Sequence, residues 1–303
     1  MTVVERDSAQ LLEPLRRELA ALGCSPRDLR PYAAGLEFAA FRMSWNGADV
    51  VAKTPWTREI ANDNDNQQDA RDLLRQEAAL LAFARSVGAP APEVAFLHVD
   101  GDVDVLVTSH VPHDGSQPDA DALASALVTL HSAPAPDITL VAQPGEFATV
   151  VAERLVRRAH VVEQLGATRL QLPPADELAA AIGGADGPPS VLHLDVRNDN
   201  VLTRQGRITA LIDWTNALLG DPAMELARIA EYGSAPPGFF AAYEAQRAVG
   251  ATRTRDLLYR LDTAVMLSVV MLSEAPNPRK APTYVARATE LAGLLRDSCP
   301  NWF

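Results

Sequence analysis

A short polar segment between two apolar runs contains the residue types that phosphoryl transfer requires. It spans residues 193–200 and reads HLDVRNDN, and Asp213 follows it after a second apolar run. Transfer of a phosphoryl group needs a base beside the incoming hydroxyl and oxygen ligands for Mg²⁺. Asp195 can act as the base, while the amide oxygen of Asn200 and the carboxylate of Asp213 suit a hard cation. These three side chains are therefore the candidate base and metal ligands.

The spacing within this segment, H-x-D-x-x-x-x-N, is the pattern of a kinase catalytic loop, and Asp213 fits the metal-binding aspartate after it. The alternative is a polar turn that uses Asp and Asn for local hydrogen bonds. Arg197 is a candidate for stabilising charge on the transferred phosphoryl group, although a surface arginine is equally compatible with its position. His193 is expected to hold the loop by hydrogen bonds rather than to carry protons.

A second signal lies near the N-terminus, where Lys53 ends the apolar run VVAK. Such a lysine contacts nucleotide phosphates in kinases and pairs with a helix glutamate. Glu77 suits that pairing, because leucines three and four residues away on both sides place it within an apolar helix stripe. A carboxylate there is costly unless it is paired. Lys53 and Lys280 are the two lysines of the chain, whose other 25 basic residues are arginines. The alternatives are a structural ion pair, or a glutamate at the edge of the stripe that reaches solvent.

The hairpin signals and apolar periodicity along the chain predict a small antiparallel sheet with one key helix, followed by a mainly helical region. Hairpin signals occur at Asn46-Gly47 and at residues 100–102, and a third hairpin turns at Gln205-Gly206. Residues 61–69 are polar and are expected to form a solvated loop. The predicted helices span an N-terminal segment and residues 69–87, 119–131, 146–165, 174–182, 222–232, 237–248, 253–274 and 281–297.

Composition excludes several classes of function. The net charge of −12 argues against nucleic acid as a partner. The sequence has no apolar run long enough to predict a membrane span. The charge is compatible with a cationic small-molecule acceptor, although surface acidity also serves solubility. Cys24 and Cys299 form no metal or disulfide pattern, which favours a reducing cytoplasm.

Together these motifs resemble the aminoglycoside phosphotransferase family, which includes choline-kinase-like and macrolide-kinase-like enzymes. The resemblance rests on the segments of Lys53 and Glu77, and on GAPAPEV, LVTSHVP, LHSAP, HLDVRNDNVL, LIDW and GDPAMELARI. It implies an α+β, protein-kinase-like fold of two lobes that uses ATP or GTP with Mg²⁺. Residues 1–110 would form the nucleotide-binding lobe, 111–118 the hinge or linker, and 119–303 the helical lobe with the acceptor pocket.

The resemblance also implies roles for single residues. Asp195 would be the base, Asn200 and Asp213 would bind Mg²⁺, and Lys53 with Glu77 would bind nucleotide phosphates. The hinge would contact the nucleotide base through backbone groups, and its residues are Thr108, Ser109, His110 and Val111.

The chain departs from the family pattern at two positions that bear on activity. Leu194 stands where the family usually has glycine, and Glu225 stands where it usually has aspartate. A pseudokinase that binds nucleotide without transfer is therefore the alternative to a small-molecule kinase. A protein kinase is disfavoured, because only six residues separate Asp213 from Gly220. Acidic candidates for the acceptor pocket are Glu231, Asp262 and Glu274, each also typical of a solvated helix residue. The sequence does not determine the acceptor or the oligomeric state.

Overall fold

The structure, a computed structural model, describes residues 7–65, 67–184 and 187–302. The strands are β1 (Arg27–Ala34), β2 (Phe38–Trp45), β3 (Ala48–Pro55), β4 (Glu59–Ile60), β5 (Gln68–Asp69), β6 (Val94–His98), β7 (Val105–Ser109), β8 (Ser190–Leu192), β9 (Val201–Arg204), β10 (Arg207–Leu211) and β11 (Leu218–Gly220). The helices are α1 (Ala9–Ala21), α2 (Ala70–Ser86), α3 (Ala120–Ser132), α4 (Phe147–Gln164), α5 (Ala175–Ile182), α6 (Pro222–Tyr232), α7 (Phe239–Gln246), α8 (Arg253–Val269) and α9 (Ala281–Ser298). A π-turn (Val270–Glu274) follows α8, and a short 3₁₀ segment (Pro300–Trp302) follows α9.

The largest sheet has five antiparallel strands in the order β1-β2-β3-β7-β6. The hairpin between β2 and β3 turns at Asn46 and Gly47, which have φ of 52° and 78°. Both values lie in the left-handed region that a type I′ turn needs, so the predicted hairpin is confirmed. Pairing of Lys53 with Leu106 joins β3 to β7 and fixes the lysine in the middle of the sheet.

Helix α2 forms because its sequence supplies both a start signal and a buried face. The Asp69 side chain accepts a hydrogen bond from the Arg71 amide at 2.9 Å and caps the first turn. Leucines at helical spacing then bury one face. Gly88, with φ of 84°, follows the helix end. The buried stripe includes Glu77, as the sequence predicted, and turns its carboxylate toward the sheet.

The helical part of the chain packs around α8, which is buried along most of its length. It lies against α4, α6 and α9. Helix α6 begins at Asp221, whose carboxylate accepts from the Ala223 amide at 2.9 Å, and ends before Gly233, which has φ of 66°. A capped start and a left-handed glycine after the last turn fix both ends of this helix.

The α+β fold predicted from the sequence is confirmed, with differences at its edges. The predicted helix 253–274 is confirmed in its extent, but its geometry changes along the way, because α8 stops at Val269 and the chain continues in the π-turn Val270–Glu274. The amide of Ala275 bonds to the Val270 carbonyl at 2.8 Å, a five-residue spacing that apolar periodicity does not reveal. The short antiparallel pair of β8 and β11 was also not predicted.

The prediction of a solvated loop at residues 61–69 holds only in part, because some of these residues are exposed whereas Asn64 and Asp65 are docked on the helical part of the chain. Asn64 is only 4% exposed, and the Asp65 carboxylate lies 2.8 Å from Arg154 and 3.2 Å from Arg158. Arg158 also bonds to Asp262 at 3.0 Å. We call Asp65, Arg154, Arg158 and Asp262 the arginine cluster. Because its arginines come from the helical part of the chain, polar composition alone could not show that the segment is docked there.

Within the described ranges, no helix is both long and apolar enough to cross a membrane. Cys24 and Cys299 are both free thiols.

Candidate functional site

A cleft of about 1240 Å³ separates the five-stranded sheet from the helical part of the chain. This volume exceeds the roughly 300–1,000 Å³ typical of a single-ligand pocket, so two ligands can lie side by side. Its lining includes every residue that the sequence singled out as catalytic, metal-binding or nucleotide-binding, and both lysines of the chain. The cleft therefore brings together segments that are distant in sequence.

Lys53, Glu77 and Asp213 meet at the sheet wall of the cleft, and we call them the cleft cluster. The Lys53 ammonium lies 2.5 Å from Glu77 and 2.9 Å from Asp213. It also lies 4.6 Å from the centre of the Phe38 ring, which closes its third side. Burial alone would lower the pKa of Lys53, but the two carboxylates outweigh burial and raise the pKa above its usual range. The lysine is therefore held as a cation facing the cleft.

Within the segment 193–200, Leu194 adopts a backbone conformation that residues other than glycine rarely take. Leu194 has φ of 57°, a left-handed value that costs a non-glycine residue about 1–2 kcal/mol. Its side chain is fully buried in the helical core. Glu225 accepts hydrogen bonds from the amides of His193 and Leu194, at 2.6 and 2.8 Å. Leucine thus keeps the backbone that a glycine would favour, and a buried carboxylate on α6 holds it there.

His193 stabilises the loop by hydrogen bonds, as predicted. The amide of Asp195 donates to its Nδ1 at 3.2 Å, which makes Nδ1 an acceptor. Nε2 then carries the hydrogen and donates to the Ile212 carbonyl at 3.0 Å. The ring also packs on Trp214, with 4.5 Å between ring centres. These contacts tie the candidate base to the strand end that carries Asp213.

Asp195 is 6% exposed and its carboxylate is held at both oxygens. The Asn200 amide donates to Oδ2 at 2.6 Å and to the Asp195 carbonyl at 3.1 Å. Arg197 Nε donates to Oδ1 at 3.0 Å. The Arg197 side chain is 47% exposed, so it can also reach into the cleft. A buried carboxylate fixed in this way can accept a proton from a hydroxyl bound beside it.

Asn200 and Asp213 fit the chemistry of a Mg²⁺ site. The Asn200 nitrogen is engaged with Asp195, which leaves its amide oxygen as the atom available for a cation. The backbone joins the two residues, since the Ile212 amide donates to the Asn200 carbonyl at 3.0 Å. One carboxylate and one amide oxygen, completed by water and nucleotide phosphates, match how Mg²⁺ is bound in proteins. These residues could therefore hold Mg²⁺ beside Lys53.

The predicted hinge residues line the cleft, but two of their amides are already engaged. The Ser109 amide donates to the Glu93 carbonyl at 2.8 Å, and the His110 amide donates to the Asp49 carbonyl at 2.9 Å. Thr108 pairs with Val51 within the sheet. Among the described residues, no partner is found for the amide of Val111. A nucleotide base therefore has one free backbone donor in this segment.

Sequence reasoning missed several residues of the site and misjudged others. Glu225 was noted only as a departure, and its two backbone contacts 31 and 32 residues away leave no local signal. The interpretation of Asp262 as a solvated helix residue is wrong, because Asp262 is 1% exposed and is paired with Arg158. Glu231 pairs with Arg287 at 2.8 Å. Glu274 faces the cleft from the π-turn and accepts from the Asn64 amide at 2.9 Å.

Glu37 was also missed, although it faces the cleft from the turn between β1 and β2. Burial, reinforced by the charges of Asp213 and Asp65, raises its pKa to about 7. Asn62 donates to its carboxylate at 3.1 Å. The turn between β1 and β2 thus adds an acidic side chain to the lining of the cleft.

Residues 28–258 match the phosphotransferase enzyme family. The chain belongs to this family. The resemblance inferred from the motifs and the expectation of a phosphotransferase are therefore confirmed.

One curated relative of this phosphotransferase is the hygromycin-B 4-O-kinase of Escherichia coli, with 50% identity over 48 residues. That match covers 15% of this chain and 14% of the relative, so it spans a small part of either protein.

Solved structures of similar fold cover almost the whole chain. A candidate fructosamine-3-kinase from Haemophilus somnus 129PT has a TM-score of 0.69 at 16% identity, and covers 95% of this chain and 98% of its own. A thermostable mutant of aminoglycoside phosphotransferase APH(4)-Ia, in complex with AMP-PNP and hygromycin B, has a TM-score of 0.63 at 16% identity. That match covers 95% of this chain and 98% of the mutant. The phosphotransferase therefore has the kinase-like fold that the sequence predicted.

Proposed function

We propose that this protein transfers the γ-phosphate of ATP or GTP to a hydroxyl group of a small molecule. The observation that carries the proposal is the meeting of Asp195 with the cleft cluster in one cleft. Lys53 and Asp213 are 160 residues apart in sequence, yet they form an ion pair there. A buried base beside a held cation and a metal-suited pair is the arrangement that phosphoryl transfer needs.

In this proposal Asp195 is the catalytic base. Its carboxylate accepts the proton of the acceptor hydroxyl as the new oxygen–phosphorus bond forms, and the nucleoside diphosphate leaves from the opposite side. Arg197, which can reach from Asp195 into the cleft, is the group that meets the charge on the transferred phosphoryl. Asn200 and Asp213 would hold Mg²⁺, which would neutralise charge on the phosphate oxygens.

We assign the nucleotide to the sheet side of the cleft. Lys53 binds its phosphates, and Glu77 keeps the lysine in place. The purine base of the nucleotide lies against the hinge of Thr108, Ser109, His110 and Val111, where the Val111 amide is the free donor. This assignment supports the division into a nucleotide lobe of residues 1–110, a hinge at 111–118 and a helical lobe at 119–303. We place the reaction in the cytoplasm, which suits a chain with two free cysteines.

An amino sugar or related cationic alcohol is the acceptor class that we favour. Glu37 and Glu274 both line the cleft, and the net charge of −12 attracts cations at long range. The structural relative APH(4)-Ia was captured with hygromycin B, and the local match to a hygromycin-B kinase agrees with the same class. Choline-like and sugar acceptors are the next candidates.

A pseudokinase is the competing proposal, and Leu194 is the feature that favours it. Its left-handed backbone keeps Asp195 in place, so the substitution by itself does not disable the site. The two proposals separate cleanly, because a pseudokinase binds nucleotide but releases no diphosphate in response to an acceptor.

The test is nucleoside diphosphate release with Mg²⁺ and ATP or GTP, across aminoglycosides including hygromycin B, macrolides, choline, amino sugars and sugars. Asp195→Asn should reduce turnover by about 10²–10⁴-fold while nucleotide still binds. Asp199→Asn is the matched control, since Asp199 lies in the same loop but is exposed. Equal turnover of wild type and Asp195→Asn would contradict the proposed base, and nucleotide binding without turnover on any acceptor would favour the pseudokinase.

A further inference from the structure

The last residue of α6, Tyr232, touches the candidate base. Its hydroxyl lies 3.0 Å from Asp195 Oδ1 and 3.2 Å from Arg228 Nε. Arg228 lines the cleft and is only 2% exposed. Among the described residues, the Tyr232 hydroxyl is the sole hydrogen-bond partner of its guanidinium.

The chemistry of arginine fixes the direction of these two hydrogen bonds. A guanidinium has only donors, so Arg228 Nε donates to the Tyr232 oxygen. The tyrosine must then use its single hydrogen elsewhere, and the close acceptor is Asp195 Oδ1. Burial, with the charge of Asp195 adding to it and that of Arg228 opposing it, raises the pKa of Tyr232 to about 12. The hydroxyl therefore remains a donor at every working pH.

A count of donors shows which oxygen of Asp195 is left for a substrate. A carboxylate offers about four lone-pair positions, two on each oxygen. Oδ1 accepts from Tyr232 and from Arg197 Nε, which fills both of its positions. Oδ2 accepts a side-chain hydrogen bond from Asn200 alone. One position on Oδ2 is open.

We propose that Tyr232 is a positioning residue, oriented by Arg228, which fixes the Asp195 carboxylate so that Oδ2 receives the proton of the acceptor hydroxyl. The inference rests on the proposed function of Asp195 as base. Arg197 keeps Nε on Oδ1 while the terminal nitrogens of this half-exposed side chain meet the phosphoryl group. Tyr232 is the second donor to Oδ1, and it prevents the carboxylate from turning during transfer.

The test removes only the hydroxyl, with Tyr232→Phe. Tyr259→Phe is the matched control, since the Tyr259 hydroxyl also lies 3.0 Å from a carboxylate, that of Asp221 at the start of α6. We expect kcat to fall about tenfold in Tyr232→Phe with KM for ATP unchanged, because a hydrogen bond to a charged group is lost beside the reacting atom. Arg228→Met should lower kcat in the same direction. Tyr259→Phe should lower Tm without changing kcat.

The measurements use Mg-ATP with hygromycin B, and Mg-ATP alone with water as the acceptor. Unchanged kcat in Tyr232→Phe, while Asp195→Asn is inactive, would overturn the inference and leave the proposed function intact. An equal fall of kcat in both tyrosine variants would also overturn it, since a general loss of rigidity would explain that result.

A second readout does not need turnover. In protein labelled with ¹³C at tyrosine Cζ, the titration of Tyr232 is compared between wild type and Asp195→Asn, over the pH range in which circular dichroism shows intact structure. Removing the negative charge of Asp195 should lower the titration midpoint of Tyr232. Equal midpoints would show that the hydroxyl does not contact the carboxylate and would overturn the inference, even if neither acceptor supports turnover.

Discussion

Two groups of charged side chains join the sheet to the helical part of the chain, and they differ in charge balance. In the arginine cluster, Arg154 and Arg158 face Asp65 and Asp262, and Arg157 adds a third arginine 3.8 Å from Asp65, so each carboxylate faces at least one arginine. In the cleft cluster, one lysine faces two carboxylates, and Asp213 is 36% exposed to the cleft.

The difference separates a structural contact from a ligand site. Buried charges are stable only when each is paired, which the arginine cluster achieves with its own residues. The cleft cluster carries an excess negative charge at the edge of an open cleft. A divalent cation there would compensate the excess negative charge, and the phosphates of a nucleotide would in turn compensate the cation, so the cluster is suited to Mg²⁺ with a nucleotide.

The largest effect is expected from breaking the arginine cluster. Arg158→Met leaves Asp262 without its partner in a fully buried position, and should lower the free energy of unfolding by about 3–5 kcal/mol. Chemical denaturation measures this change. The double variant Arg158→Met/Asp262→Leu, which removes both charges, should recover most of the loss. A single variant as stable as wild type would show that the cluster does not hold the fold together.

Neutralising the excess charge of the cleft cluster should reduce turnover and leave the free energy of unfolding almost unchanged. Asp213→Asn should reduce turnover at least about 100-fold, because it removes a candidate metal ligand. The free energy of unfolding should change by less than about 1 kcal/mol, since Lys53 keeps Glu77 as its partner. Asp262→Asn is the comparison variant, and it should lose stability while its folded fraction keeps normal turnover. Similar profiles for the two variants would erase the distinction between the clusters.

The smallest effect concerns Glu37, which reports the acidity of the cleft. Its pKa of about 7 lies above the ordinary value of 4.5. Between these pH values the folded protein therefore binds more protons than the unfolded chain, and stability falls as pH rises. Glu37→Gln should remove this fall, which we expect to be about 1–2 kcal/mol between pH 5 and 7 after allowance for solvent screening. Thermal unfolding of both proteins at several pH values measures it, and parallel curves would contradict an acidic cleft.

Local patterns were sufficient to predict the elements whose causes are local. Glu77 is predicted by the leucines around it, which define an apolar stripe, and Lys53 by its position at the end of the apolar run VVAK. The hairpin at Asn46-Gly47 follows from turn chemistry alone. The α+β fold could be predicted from these patterns and from the family resemblance.

The remaining features depend on partners far away in the chain. Asp65 meets arginines 89 and 93 residues later, so its segment looks like a polar loop until the helices are in place. Tyr232 lies 37 residues from Asp195, so no local pattern links its hydroxyl to that carboxylate. Leu194 departs from the family glycine, and only its φ of 57° shows that the backbone is retained.

The scarcity of lysine has a practical consequence, because both lysines of the 303-residue chain line the same cleft. A lysine-specific protease can cut this chain only after Lys53, inside β3, and after Lys280, at the exposed start of α9. Cleavage after Lys280 in the folded protein reports on the rim of the cleft, whereas cleavage after Lys53 requires the sheet to open. Protection of the peptide bond after Lys280 from the protease therefore detects a ligand bound at the rim of the cleft.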